Sequence, residues 1–254
     1  MNILISNDDG IHAKGIEVLH DCLKEAGHNV YVIAPAKEES GTGHGVTLHR
    51  PLRLQKINKN NIHFGYAVDG KPSDCIKLGY WGVFKDKKID MIISGINRGE
   101  NLGTDVLYSG TVSAAAEGAL SGVRSIAVSL YKPSENPNYE TAGKFLVKFL
   151  EEIDELEFPK ESLLNINVPD LKFEDILGYK YTKQGDRKYI DNFIERDDPR
   201  GDKYYWLGGE VCETGDDPNY DFNVVKSNYI SVTPINLDLT DYKFLSNLKG
   251  EYNK

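Results

Sequence analysis

The chain has 254 residues, 40% of them hydrophobic and 27% charged, a composition that suits a soluble globular protein long enough to bury a full core. The formal charge is −9, with no basic excess of the kind that proteins coating nucleic acid carry, although a local phosphate pocket remains compatible with it. Its three cysteines, Cys22, Cys75 and Cys212, are far apart and lack Cys-x-x-Cys spacing, which argues against a disulfide framework or a zinc site and favours a reducing compartment.

Residues 2–6 form a short apolar run ending in a polar turn, the pattern of a strand buried on both faces. No basic stretch precedes them and no cleavage pattern follows, and no apolar run reaches transmembrane length. The expected location is therefore the cytoplasm, away from membranes. Residues 14–26 place Ile16, Leu19, Leu23 and Ala26 at helical spacing, and Gly27 stops the helix. Residues 29–34 give a second strand, so the opening reads as a strand–helix–strand unit with parallel pairing and a right-handed crossover. Residues 46–57 and 62–68 read as an antiparallel pair, and 71–81 as a helix. Strands then follow at 89–94, 125–130 and 163–168, with helices at 111–120 and 139–153 between them. After Pro169 the chain is rich in Tyr, Asp and Gly, with short strands at 204–207 and 229–235. This predicts an α/β core over residues 1–169 and a β-rich C-terminal region over 170–254.

In open parallel sheets, ligands bind beyond the carboxyl ends of the strands. Three loops leave strand ends there, at 7–13, 36–45 and 95–110. The first carries Asn7-Asp8-Asp9-Gly10. Adjacent carboxylates repel unless a cation or donor offsets them, and an oxygen-rich site suits Mg²⁺ or Mn²⁺. The alternative is a plain turn, because Asp-Gly is a common turn dipeptide. Asp197-Asp198 and Asp216-Asp217, each followed by Pro, read as turns. The second loop, Ser40-Gly41-Thr42-Gly43-His44-Gly45, exposes backbone N–H groups that an anion can approach, but taken alone the signal is weak and a flexible loop is the better reading. His12 and His44 lie in these loops, where histidines are ordinarily solvated, and neither is assigned a role. The third loop runs from Gly95 through Asn97 and Asn101 to Ser109-Gly110-Thr111, where a helix begins. A helix start presents free N–H groups and a positive dipole end to phosphate. Capping alone would explain Ser109 but not the Gly/Asn loop before it. Neither a P-loop nor a Gly-x-Gly-x-x-Gly after the first strand is present.

The ordered series resembles the SurE family. It comprises Asn7-Asp8-Asp9-Gly10, Ala34-Pro35 through Ser40-Gly41, Ser73-Asp74-Cys75, Ser94-Gly95-Ile96-Asn97 with Gly99 and Asn101, and Tyr108-Ser109-Gly110-Thr111-Val112. Asp198-Pro199-Arg200-Gly201, Tyr205-Trp206 and Ser231-Val232-Thr233-Pro234 complete it. The resemblance implies a Rossmann-like three-layer α/β core with a mostly parallel sheet, and a smaller C-terminal region exchanged between the subunits of a homodimer, with tetramers in some members. It implies one divalent cation per subunit, Mg²⁺ or Mn²⁺, held by Asp8, Asp9, Ser40 and Asn97. Asn97, Asn101, Ser109, Gly110 and Thr111 would bind the phosphate. Asn236 departs from the pattern, since several members carry histidine there, and this puts a catalytic C-terminal histidine in doubt.

The expected activity is metal-dependent hydrolysis of nucleoside 5′-monophosphates, with 3′-monophosphates and short polyphosphate among the family's substrates. Asp8 and Asp9 are the expected catalytic residues, as general base or, alternatively, as nucleophile. Two other readings stay open at this level. A nucleotide sensor would bind without releasing phosphate, and a glycosyl or nucleoside hydrolase would release free base.

Overall fold

The run that predicts a strand at the start of the chain forms β1 (Asn2–Ser6), with Ile3 and Ile5 in one core and Leu4 in another, all fully buried. The computed structural model describes residues 1–251. After β1 come α1 (Lys14–Glu25), β2 (Asn29–Pro35), β3 (Leu54–Lys59), β4 (Ile62–Val68), α2 (Pro72–Leu78) and β5 (Met91–Asn97). They are followed by α3 (Gly110–Leu120), β6 (Arg124–Tyr131), α4 (Tyr139–Glu152) and β7 (Ser162–Pro169). The last elements are β8 (Tyr179–Tyr181), β9 (Asp186–Asp197), β10 (Lys203–Thr214), α5 (Asp221–Lys226), β11 (Ile230–Asn236) and α6 (Tyr242–Glu251).

The main sheet has nine strands in the order β3-β4-β2-β1-β5-β6-β7-β11-β8. Pairing is parallel from β4 through β7, while β3 runs antiparallel to β4 and β11 antiparallel to β7. This is the mostly parallel α/β core expected. Helices cover both faces. Ile16, Leu19 and Leu23 of α1 join Phe145, Leu146 and Phe149 of α4 over Ile3 and Ile5. On the other side Cys75 and Ile76 of α2 and Ala114 of α3 pack on Leu4 and Ile92. The chain leaves β1 towards β2 and later returns to β1's other edge with β5. The crevice at the carboxyl ends of β1 and β5 is thus a topological switch point, where open α/β sheets bind ligands.

Several elements differ from the sequence reading. The strand expected over 46–57 is confined to β3. Thr47 instead donates its N–H and hydroxyl to the Asp74 carboxylate at 2.8 and 2.6 Å, and Pro51 has no N–H for a ladder. The helix expected over 71–81 ends with α2 and continues as a π-helical turn, Gly79–Val83. The strand read at 204–207 extends to the whole of β10, which pairs antiparallel with β9 in a separate two-stranded sheet. Beyond residue 170 the chain divides its elements. β11 and β8 extend the main sheet, β9 and β10 form the separate hairpin, and two helices, α5 and α6, are present as well.

Candidate active site

The loop after β1 is closed by the Asn7 amide, which donates to the Gly10 carbonyl at 2.9 Å. Gly10 has φ +94°, and a Cβ there would sit 3.1 Å from the Lys37 backbone, so only glycine lets this loop rest on the one after β2. Two backbone bonds fasten the contact, Ile11 N–H to the Pro35 carbonyl and Glu39 N–H to the Asp8 carbonyl, both at 2.8 Å. Asp8 and Asp9 are thereby fixed at the sheet edge.

Helix α3 arrives from the other side. The Thr111 hydroxyl donates to Asp8 Oδ1. A Cβ on Gly110 would lie 2.7 Å from the Asp8 Cβ and 2.9 Å from its Oδ2, so a bare Cα is needed for the helix start to meet the carboxylate. Ser109 is the N-cap, its Oγ accepting from Val112 N–H at 3.1 Å. Asp8 is only 4% exposed. Burial pushes its carboxyl up to about 6, the Thr111 hydrogen bond opposes this, and the neighbouring Asp9 charge adds to it. Burial also raises Asp9, with Glu38 reinforcing the shift against the Arg98 N–H bond and charge.

The loop after β5 completes the crevice. Arg98 N–H donates to Asp9 Oδ2 at 3.0 Å, and the Asn97 amide donates to the Gly99 carbonyl at 2.9 Å, which fixes the amide's orientation. Asn101 is buried and held by two asparagines of β7. Its N–H donates to Asn167 Oδ1 at 2.8 Å, and its carbonyl accepts from Asn165 at 2.7 Å and Asn167 at 3.0 Å. His44 is not a solvated loop histidine. Its Nε2 lies 3.1 Å from the buried Glu117 carboxylate of α3, which also takes the Lys77 ammonium, and this pins the second loop to the helix.

A cavity of about 970 Å³ opens over this arrangement, and Asp8, Ser40, Asn97, Asn101 and Ser109 all line it. Asp9 faces an adjoining hollow of about 490 Å³, with Arg98 shared between the two, while Gly110 and Thr111 back onto Asp8. The three loops therefore converge. Ser40, Asn97 and the two aspartates bring only oxygen ligands to these hollows beyond the hydrogen bonds they already make. Among the described residues no group of three or more His, Cys, Asp or Glu side chains is placed to hold a metal, so a cation here rests on this mixed set of carboxylate, amide and hydroxyl. Such hard oxygen ligands fit Mg²⁺ or Mn²⁺.

The sequence reading missed the far wall of the cavity, built by Lys188, Tyr189, Asp191 and Leu207 of the β9–β10 hairpin. It also missed Arg187, only 4% exposed, with Glu100, Asp105 and Glu213 within 2.9, 3.0 and 3.2 Å. The available signal was the turn Asp198-Pro199-Arg200-Gly201, whose Asp198 carboxylate accepts from the N–H of Arg200 at 2.7 Å and of Asp202 at 3.0 Å. It links two strands of equal length.

A switch-point crevice that sets an acidic pair against a helix N-terminus defines an α/β protein that handles phosphate. The sequence model described as "Survival protein SurE" matches residues 3–191. The 5′-nucleotidase SurE of Petrotoga mobilis is 49% identical over 250 residues, covering 98% of both chains. That of Thermosipho melanesiensis is 50% identical over 252 residues, covering 99% of this chain and 98% of its own. The crystal structure of SurE from Aquifex aeolicus superposes with a TM-score of 0.85 at 39% identity, covering all (100%) of both chains. The chain belongs to the SurE family.

Proposed function

We propose that this protein is a 5′-nucleotidase, a metal-dependent phosphomonoesterase that hydrolyses nucleoside 5′-monophosphates to nucleoside and phosphate. The observation that carries the reading is the direct apposition of Asp8 with the start of α3, through Thr111 and Gly110, at the switch point. The relatives named 5′-nucleotidase SurE match over nearly the whole chain. A divalent cation bound by Asp8, Asp9, Ser40 and Asn97 would supply charge neutralisation at the phosphoryl oxygens and acidify a water molecule.

The chain's own groups do the positioning that phosphoryl transfer mainly needs. The Gly110 N–H at the start of α3 would meet a non-bridging oxygen, the Val112 N–H being taken by the Ser109 cap, and the Asn101 and Ser109 side chains line the same end of the cavity. Asp8 is committed to Thr111. Asp9 is less buried and uses only Oδ2, on Arg98, so its other oxygen is the better proton acceptor for the attacking water. The test is release of inorganic phosphate from a nucleoside 5′-monophosphate with Mg²⁺ or Mn²⁺. Turnover should disappear on exhaustive chelation and return with the cation. Binding without phosphate release would establish a sensor instead.

Residues 170–254 form, in this reading, an oligomerisation region that pairs with a second copy of the chain. Side chains alternate along strands. The register therefore puts Ile190, Ile194, Tyr204 and Trp206 together on the hairpin face opposite Tyr189, and all four are exposed. Leu239, Tyr242 and Phe244, near the C-terminus, are exposed too. An exposed apolar set of this kind fits a homodimer, with a tetramer as the larger alternative. Sedimentation velocity should give at least a dimer for the wild type and smaller species for Trp206→Asp. A monomeric wild type would refute the assignment. Among the described residues no helix is long and apolar enough to cross a membrane.

A further inference from the structure

The cavity is far larger than a phosphate group requires, and its volume lies at the upper end of the range for sites that enclose whole small molecules. Its Asp8–Asn101–Ser109 end is occupied by the phosphate chemistry already described. The remaining space is bounded by the β9–β10 hairpin.

Antiparallel register fixes which hairpin residues share the cavity face. Tyr189 lies opposite Val211, and on the same face the next pair is Asp191 opposite Gly209. Tyr189 is therefore followed along its strand pair by bare backbone. The neighbouring Gly208 also lines the cavity, has no positive φ, and would bring an added Cβ no closer than 3.4 Å to its neighbours. Nothing in backbone conformation or crowding demands glycine at 208. A glycine inside a strand weakens it, and often marks a place where a ligand approaches the backbone.

Tyr189 follows Arg187 by two residues on β9. The buried Arg187 guanidinium lies 3.0 Å from Asp105, which anchors this stretch of strand at the cavity wall. Tyr189 itself remains 48% exposed there. An aromatic ring carried on an anchored strand needs little further ordering to receive a planar partner. Asp191 on the same face has no hydrogen bond or ion pair among the described residues. Its charge disfavours a phosphate there and suits hydroxyl donors.

We propose that this hairpin face is the nucleoside subsite, with the Tyr189 ring as the platform on which the base stacks and Asp191 facing the ribose hydroxyls. The proposal rests on the nucleotidase reading and assigns the end of the cavity away from the phosphate. Stacking of a base on an aromatic side chain commonly contributes a tenfold or larger effect on binding.

Steady-state kinetics with the full chain would compare a purine nucleoside 5′-monophosphate with ribose 5-phosphate, the same ester without the base. In Tyr189→Ala, KM for the nucleotide should rise about tenfold more than KM for ribose 5-phosphate. Tyr189→Phe, which keeps the ring, should recover most of that difference. Equal losses on both substrates, or no loss, would overturn the subsite. If the wild type releases no phosphate from the nucleotide, the nucleotidase reading falls by itself. The subsite is then decided by calorimetric binding of the same nucleotide. An affinity roughly tenfold weaker in Tyr189→Ala upholds it, and equal affinity overturns it.

Discussion

Asp9→Asn is expected to lower phosphate release from a nucleoside monophosphate by on the order of 10³-fold, at the upper end of losses seen when one charge-stabilising group is removed from an active site. The substitution is close to isosteric. Its amide oxygen can still accept the Arg98 N–H that Asp9 Oδ2 accepts at 3.0 Å, so the loops after β1 and β5 keep their tie. What disappears is the negative charge. In the proposed site that charge both attracts the cation and takes the proton of the attacking water. The loss should therefore appear in kcat at saturating metal, and the metal concentration for half-maximal rate should rise as well. The variant's far-UV circular dichroism and melting temperature should match the wild type's, because Asp9 is only partly buried and anchors no other side chain. Full activity in this variant would remove Asp9 from the mechanism. Recovery of kcat by excess metal would leave it a ligand and not a base.

The pattern of residues that could be read along the chain and the pattern that could not have separate physical origins. Strands β1, β2, β6 and β7 were readable because each is buried on both faces, which leaves a continuous apolar run such as Ile3-Leu4-Ile5. The three loops were readable because Asp8-Asp9, the Gly/Asn stretch and Ser109-Gly110-Thr111 carry chemistry in their local order. The hairpin was only half readable. Almost every residue of β9 from Lys188 onwards is exposed, so its sequence, Asp186 to Asp197, shows no alternation between core and solvent. Residues 46–53 looked like a strand by composition, yet their polar groups turn to Asp74 and Asp69, contacts that neighbouring residues do not announce. Asp221 is similar. Its buried carboxylate accepts from Gly103 at 2.8 Å and Gly185 at 2.9 Å, joining the loop after β5 to the approach of β9 across more than a hundred residues of sequence. Arg187 belongs to the same class, since its meaning lies in three carboxylates that only the fold assembles.

Arg187→Met should be the most destabilising of these changes, by about 3 kcal/mol, because removing one partner of a buried ionic cluster strands the others. Glu100, Asp105 and Glu213 keep only 20%, 11% and 16% of their side chains exposed, so water compensates them poorly. Lys226 still serves Glu213, which leaves Glu100 and Asp105 as the stranded pair. For a chain of this size the melting temperature should fall by roughly 6–12 °C. The pH dependence gives a second check. Burial pushes the Glu100 carboxyl up, but the Arg187 and Lys132 N–H hydrogen bonds and the guanidinium charge outweigh it and leave it below its usual value. A carboxylate lowered by folding contributes stability above its unfolded pKa and loses it as the pH falls through the folded value. The gap in stability between wild type and Arg187→Met should therefore be full at neutral pH and narrow below about pH 4. A gap that stayed constant well below that pH would mean that lost packing, and not the ionic node, explains the destabilisation. Through Glu100 and Asp105 the guanidinium also ties the loop that ends at Ser109 to the hairpin that carries Tyr189, with Glu213 of β10 on its other side. Loosening it should thus raise KM for the nucleotide at temperatures where the variant is still folded, since the same guanidinium holds both the hairpin wall and the phosphate loop in register.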